Sequence, residues 1–126
     1  MKMESIGRLV LPLIMTLITE CIVAAITGVR VKRQFVIIVL MNVLTNPLIN
    51  TALRLLNLSG TLYFLTVSIL EGVVVFTEGF ILKKTCTDLP MNPYILSFIL
   101  NLSSFMAGVI WAVMLYLYIY KPFPIL

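Results

Sequence analysis

Histidine is absent from these 126 residues, and charged side chains make up only 11% of them. The missing imidazole removes the commonest metal ligand and the usual general base near neutral pH. The scarcity of charge excludes more. A soluble domain carries about 25% Asp, Glu, Lys and Arg, so this chain lacks the charge that would disperse it in water. Its hydrophobic content is 61%. A soluble enzyme, a disordered chain and a nucleic-acid-binding module are all ruled out. Cysteine is scarce as well, with two residues. Cys21 sits inside an apolar run and Cys86 between runs, which supports no disulfide framework. A Gly-rich phosphate loop, a zinc-protease motif and a nucleophile–base pair are also missing. No catalytic residue, no enzymatic activity and no cofactor is therefore expected.

What remains is long apolar runs. A helix needs about 20 mostly apolar residues to cross about 30 Å of hydrocarbon. Four stretches qualify, at about Leu9–Val29, Phe35–Leu55, Leu62–Leu82 and Tyr94–Tyr118. The first run is too long for a signal peptide and is not followed by a small-residue cleavage site. The fold class expected is all-α: a polytopic membrane protein with four transmembrane helices in a single domain, residues 1–126. Short connections make neighbouring spans antiparallel.

The nine Lys and Arg residues cluster near span ends. Arg30, Lys32 and Arg33 separate spans one and two, and Lys83 and Lys84 separate spans three and four. Lys2, Arg8, Arg54 and Lys121 lie on the other side. The denser first loop places loops 30–34 and 83–93 in the cytoplasm and both termini outside, in what is expected to be the cell membrane. Trp111, Tyr116, Tyr118 and Tyr120 would form an aromatic belt with Tyr63.

The chain also reads as a tandem repeat of two helical hairpins, about 9–57 and 61–120. Laid over one another without a gap, Glu20 meets Glu71, Gly28 meets Gly79, and the basic pair Lys32 and Arg33 meets Lys83 and Lys84. After a longer second loop, Asn42 meets Asn101 and Thr45 meets Ser104. Two hairpins of one orientation imply a parallel pseudo-two-fold along the membrane normal.

Three glutamates fall inside the spans: Glu20, Glu71 and Glu78. A central ionised residue costs at least about 2.5–3.5 kcal/mol, so such residues face the bundle and mark pathways. Glu78 is close enough to the span end to pair with Lys83 or Lys84. Span two carries Asn42, Asn46 and Asn50 as a stripe at four-residue spacing, with Thr45 beside it. Pro47 frees the carbonyl of Val43 in mid-span. Span four carries Asn101 and Ser104. At about 1.5 Å per residue, Asn42 lies about 10 Å into span two and Glu20 about 14 Å before the end of span one.

The expected site is therefore a midplane cluster of Glu20, Asn42, Thr45, Asn46, Pro47, Glu71, Glu78, Asn101 and Ser104. Oxygen ligands suit a hard cation or a proton better than zinc or copper, and a small polar solute fits the same donors. Two carboxylates in a low dielectric need a cation or protons to neutralise them. The function expected is a small carrier or channel-like transport protein. The alternative is a non-transporting subunit whose polar residues fix helix packing. The partners expected are the lipid bilayer, a cation or proton, and further copies of the chain or a larger membrane complex, with no nucleic acid. Two small-xxx-small pairs, Ala24 with Gly28 and Ser104 with Gly108, are expected to set close helix contacts.

Overall fold

A computed structural model describes residues 3–120. Lys2 and Lys121 lie outside them, and the side chains of Glu4, Arg8 and Tyr120 are likewise not described. The described residues form four helices: α1 (Met3–Thr27), α2 (Lys32–Leu56), α3 (Gly60–Thr85) and α4 (Pro93–Tyr120). Each is at least 25 residues long, hence about 37 Å or more at 1.5 Å per residue. All four are long and apolar enough to cross a membrane.

The helix ends have local causes. α1 stops at Gly28, whose φ of 110° closes the helix in a conformation that favours glycine. The Gly28 N–H donates to the Ala25 carbonyl at 3.3 Å and the Val29 N–H to the Ala24 carbonyl at 3.0 Å. Ala24 and Val29 both enter the core. These are the paired bonds and the apolar contact of a Schellman cap. α2 ends at Asn57, at φ 46°; asparagine tolerates that left-handed region better than most residues. α4 starts with Pro93, whose missing N–H costs nothing at the first helical position, while the Asn92 side chain accepts the Tyr94 N–H at 2.9 Å. Pro12 and Pro47 lie inside α1 and α2, and both helices continue through them.

The bundle closes as a ring in which α1 touches α2 and α4, α3 packs along α4, and α2 meets α3 over the shortest stretch. Its interior is unequal along its length. Ala24, Val29, Ile38, Met41, Leu82, Leu96 and Leu100 form the core, all in the half that carries the α1–α2 and α3–α4 loops. Among the described residues nothing is buried before Glu20 in α1, after Asn42 in α2, before Val74 in α3 or after Asn101 in α4. The half towards the termini is therefore open between the helices. Between the charged helix ends the outer surface of the described residues is largely apolar, with Leu44, Phe64 and Leu55 well exposed. Such a surface is a liability in water but suits hydrocarbon, where every helical backbone group is bonded within its own segment.

One close approach holds α3 to α4. A Cβ built on Gly79 would lie 2.5 Å from Tyr94 Cδ1 and 3.0 Å from Tyr94 Cα. The absent side chain lets the α4 backbone come in at this level. By contrast, a Cβ on Gly108 would meet nothing within 4 Å, so the expected Ser104/Gly108 contact is not the tight one.

Candidate functional site

The polar site stands at the border between the packed half and the open half. Glu20 and Glu78 are each 1% exposed. Each lies seven residues before the end of its helix, at Thr27 and Thr85, so both stand about 10 Å in from the loop face at 1.5 Å per residue.

The Asn42 amide donates to one oxygen of Glu20 at 2.5 Å, and the Ser104 hydroxyl donates to the other at 3.1 Å. The Thr45 hydroxyl donates to one oxygen of Glu78 at 2.8 Å, and the Asn101 amide donates to the other at 2.7 Å. Each carboxylate thus takes an asparagine from its own hairpin and a hydroxyl from the other hairpin. Asn42 and Thr45 sit three residues apart on α2, and Asn101 and Ser104 three apart on α4, where helical neighbours face the same way. The six side chains close into a ring that ties all four helices together.

Backbone bonds hold the donors in place. The amides of Asn42 and Asn101 also donate to the carbonyls of Ile38 and Ser97, at 3.0 and 2.9 Å. The single hydroxyl proton of Thr45 is shared between Glu78 and the Met41 carbonyl at 2.9 Å, and that of Ser104 between Glu20 and the Asn101 carbonyl at 3.0 Å. Ser97 reaches across to the Val75 carbonyl of α3 at 2.8 Å. The partners of both carboxylates are neutral, so hydrogen bonds supply direction but no compensating charge.

A polar cavity of about 170 Å³ reaches the ring from the terminus side. Asn42, Thr45, Asn101 and Ser104 form its inner wall, and Thr16, Asn46, Asn50 and Glu71 line it further out. The Asn50 amide donates to Asn46 Oδ1 at 2.7 Å, and the Asn46 amide to Thr16 Oγ1 at 3.2 Å. Polar side chains therefore continue from the ring towards the open end. A cavity with this many convergent donors and acceptors is roomy enough for water or a small ion.

The structure brings together six of the residues singled out from sequence: Glu20, Asn42, Thr45, Glu78, Asn101 and Ser104. Asn46 belongs to the cavity but not to the ring. Pro47 lies inside α2 and does not line the cavity. Glu78, and not Glu71, is the second carboxylate of the ring. Glu71 is half-buried, borders the cavity and makes no hydrogen bond among the described residues. Glu78 does not turn to the basic pair at the end of α3: Lys83 and Lys84 are exposed, and Lys84 Nζ lies 5.6 Å from the centre of the Phe80 ring. The reason is rotational. Lys83 and Lys84 point to the outside of the bundle at that level, while the face of α3 bearing Glu78 meets α2 and α4.

Sequence reasoning passed over several contributors. Thr16 and Pro12 line the cavity, and Thr16 lies one turn from Glu20, a periodic signal that was legible. Gln34, 4% exposed, donates to the Asp88 carbonyl at 3.1 Å and clasps the loop side. No local signal in the sequence announces a partner 54 residues away. Among the described residues no three His, Cys, Asp or Glu side chains converge as a metal centre would require, and Cys21 and Cys86 are free thiols. No family model, no curated protein and no solved structure matches this chain.

Proposed function

We propose that this is a small membrane transport protein, a carrier or channel-like protein, whose binding point for a cation, proton or small polar solute is the ring built on Glu20 and Glu78. One observation carries the reading. Two fully buried carboxylates, served only by neutral donors, lie directly behind Asn42, Thr45, Asn101 and Ser104, the donors that form the inner wall of a polar cavity. Two ionised carboxylates in a low dielectric, without a basic partner, are unstable by several kcal/mol. A cation or protons arriving through the cavity remove that cost, which is the differential interaction a transport site needs.

The ring also supports an internal repeat, in a different register from the one that matches Glu20 with Glu71. That match sets Gly28, which ends α1, over Gly79, inside α3. It also sets Lys32 and Arg33, which open α2, over Lys83 and Lys84, which close α3. Thr19 and Glu20 lie instead over Thr77 and Glu78, 58 residues on, and Asn42 and Thr45 lie over Asn101 and Ser104, 59 residues on. In this register the exchanged donors are related by a parallel pseudo-two-fold. With both termini outside, the cavity would open to the exterior of the cell membrane. Four helices leave little room for a pathway and a gate, so a dimer or larger assembly is part of the proposal.

A second reading is an accessory subunit. The open terminus half, with no buried residue among those described, offers apolar flanks that a larger membrane partner could cover. Uptake by purified protein in proteoliposomes separates the two. Glu20→Gln and Glu78→Gln remove the charge, keep one acceptor oxygen for the asparagine amide, and turn the other oxygen into an NH2 that can donate to the Ser104 or Thr45 hydroxyl. Each is expected to lower ion-dependent uptake by at least about tenfold, equivalent to 1.4 kcal/mol, with little change in thermal stability. Full uptake by the double variant would falsify the transport reading, and loss of fold instead of uptake would favour the subunit.

A further inference from the structure

A second, larger groove of about 490 Å³ lies between α3 and α4 on the outside of the bundle. Its size falls within the 300–1,000 Å³ of ordinary small-molecule sites. Tyr63, Phe64, Phe98, Leu102 and Phe105 make its walls apolar and largely aromatic. Glu71 lies in it too, and Glu71, Asn101 and Phe105 line both this groove and the polar cavity. The two spaces therefore meet at one carboxylate.

That carboxylate differs from the other two. Glu20 and Glu78 each accept two side-chain hydrogen bonds, whereas Glu71 has none among the described residues. Beside it, Gly72 also lacks a packing reason. The space above Gly79 is filled by Tyr94, but a Cβ on Gly72 would meet nothing within 4 Å. Glycine inside a helix costs about 1 kcal/mol against alanine. At Gly72, as at Gly108, the space above the glycine is open, and here it is the floor of the groove.

We infer that the α3–α4 groove binds a lipophilic organic cation, its charged centre at Glu71 and its apolar body between Phe64, Phe98 and Phe105. The inference rests on the transport reading and names the substrate class for it. The occupant must be apolar because it enters from the hydrocarbon side. It must be cationic because an unpaired carboxylate there is costly and because aromatic faces attract a desolvated cation. A lipid chain would satisfy the walls and leave Glu71 unanswered, and a second copy of this helix pair would bring a like charge to it. From the groove, Glu71 and Asn101 lead directly to the polar cavity and the ring.

The test is equilibrium binding of tetraphenylphosphonium to the full chain in lipid nanodiscs, with neutral tetraphenylmethane as the control. Binding of the cation and not of the control is expected. Glu71→Gln should weaken it by about tenfold or more. Gly72→Phe, which fills the floor, should abolish it, and the smaller Gly72→Leu should weaken it if the phenylalanine variant inserts poorly. Equal binding of the neutral control, or unchanged binding by both Glu71→Gln and Gly72→Leu, overturns the inference. A change of oligomeric state in Gly72→Phe with unmoved cation binding overturns it as well, in favour of a second copy. Binding without any uptake by the unaltered protein would instead sink the transport reading and leave the groove assignment standing.

Discussion

Gly79 and Gly72 lie two turns apart on α3, and the same substitution at the two positions should have opposite effects. At Gly79 an added methyl group would stand 3.0 Å from the Cα of Tyr94 and 2.5 Å from its ring. Carbon atoms at rest sit about 3.5–4.0 Å apart. The ring can turn aside, but the Cα moves only with α4, which must retreat by about 0.5–1 Å. The bonds from Asn101 to Glu78 at 2.7 Å and from Ser97 to Val75 at 2.8 Å cross the same interface, and that retreat takes both beyond good geometry. Overpacking costs about 1–3 kcal/mol, and each lost interhelical bond adds about 0.6 kcal/mol. Replacing a helical glycine returns about 1 kcal/mol. Gly79→Ala should therefore destabilise by about 1–3 kcal/mol. Gly72→Ala meets no neighbour within 4 Å and should stabilise by up to about 1 kcal/mol. Equilibrium unfolding of both proteins in mixed micelles reads the difference directly. If Gly79→Ala proves as stable as Gly72→Ala, the close α3–α4 approach and the account of how Asn101 reaches Glu78 are refuted.

Other consequences are simpler to state. Thr45→Val removes the hydroxyl through which α2 reaches Glu78 and leaves a buried carboxylate oxygen short of a donor. It should cost about 1 kcal/mol in the same unfolding assay. Ser103→Ala loses only a bond to its own helix at the Ile99 carbonyl and should be near neutral; equal losses in the two would remove the ring's claim to tie the helices together. Gly28→Ala forces φ of 110° on a residue with a Cβ, which would also stand 3.2 Å from Pro90. It should destabilise the α1–α2 hairpin by at least about 1 kcal/mol, and unchanged thermal stability would show that the cap contributes nothing.

The four spans were legible because hydrocarbon admits only segments that bond their own backbone, and that requirement is written directly into hydropathy and length. Helix ends were legible in part. Gly28 and the Asn92–Pro93 pair act within one turn of chain, so their effect is local. The polar residues of the ring were also marked in advance, because a carboxylate or amide in an apolar run carries its cost wherever it is placed.

The partner of each carboxylate was not legible. Glu71 and Glu78 are seven residues apart, nearly two full turns, so they present almost the same face of α3. Periodicity cannot separate them, and a match of letters favoured Glu71. They differ by about 10 Å in depth, and depth acquires a meaning only when helices pack. Gly79 admits Tyr94 and draws α4 against α3, and beside that approach the Glu78 side chain meets the amide of Asn101, two turns further along α4, and the hydroxyl of Thr45. Two turns away the helices have parted, and Glu71 faces the cavity and the groove. The chain alone determined that three acids lie in helices long and apolar enough to cross a membrane; the packing of α2 and α4 on α3 decided which of them is enclosed with donors and which borders the cavity and the groove.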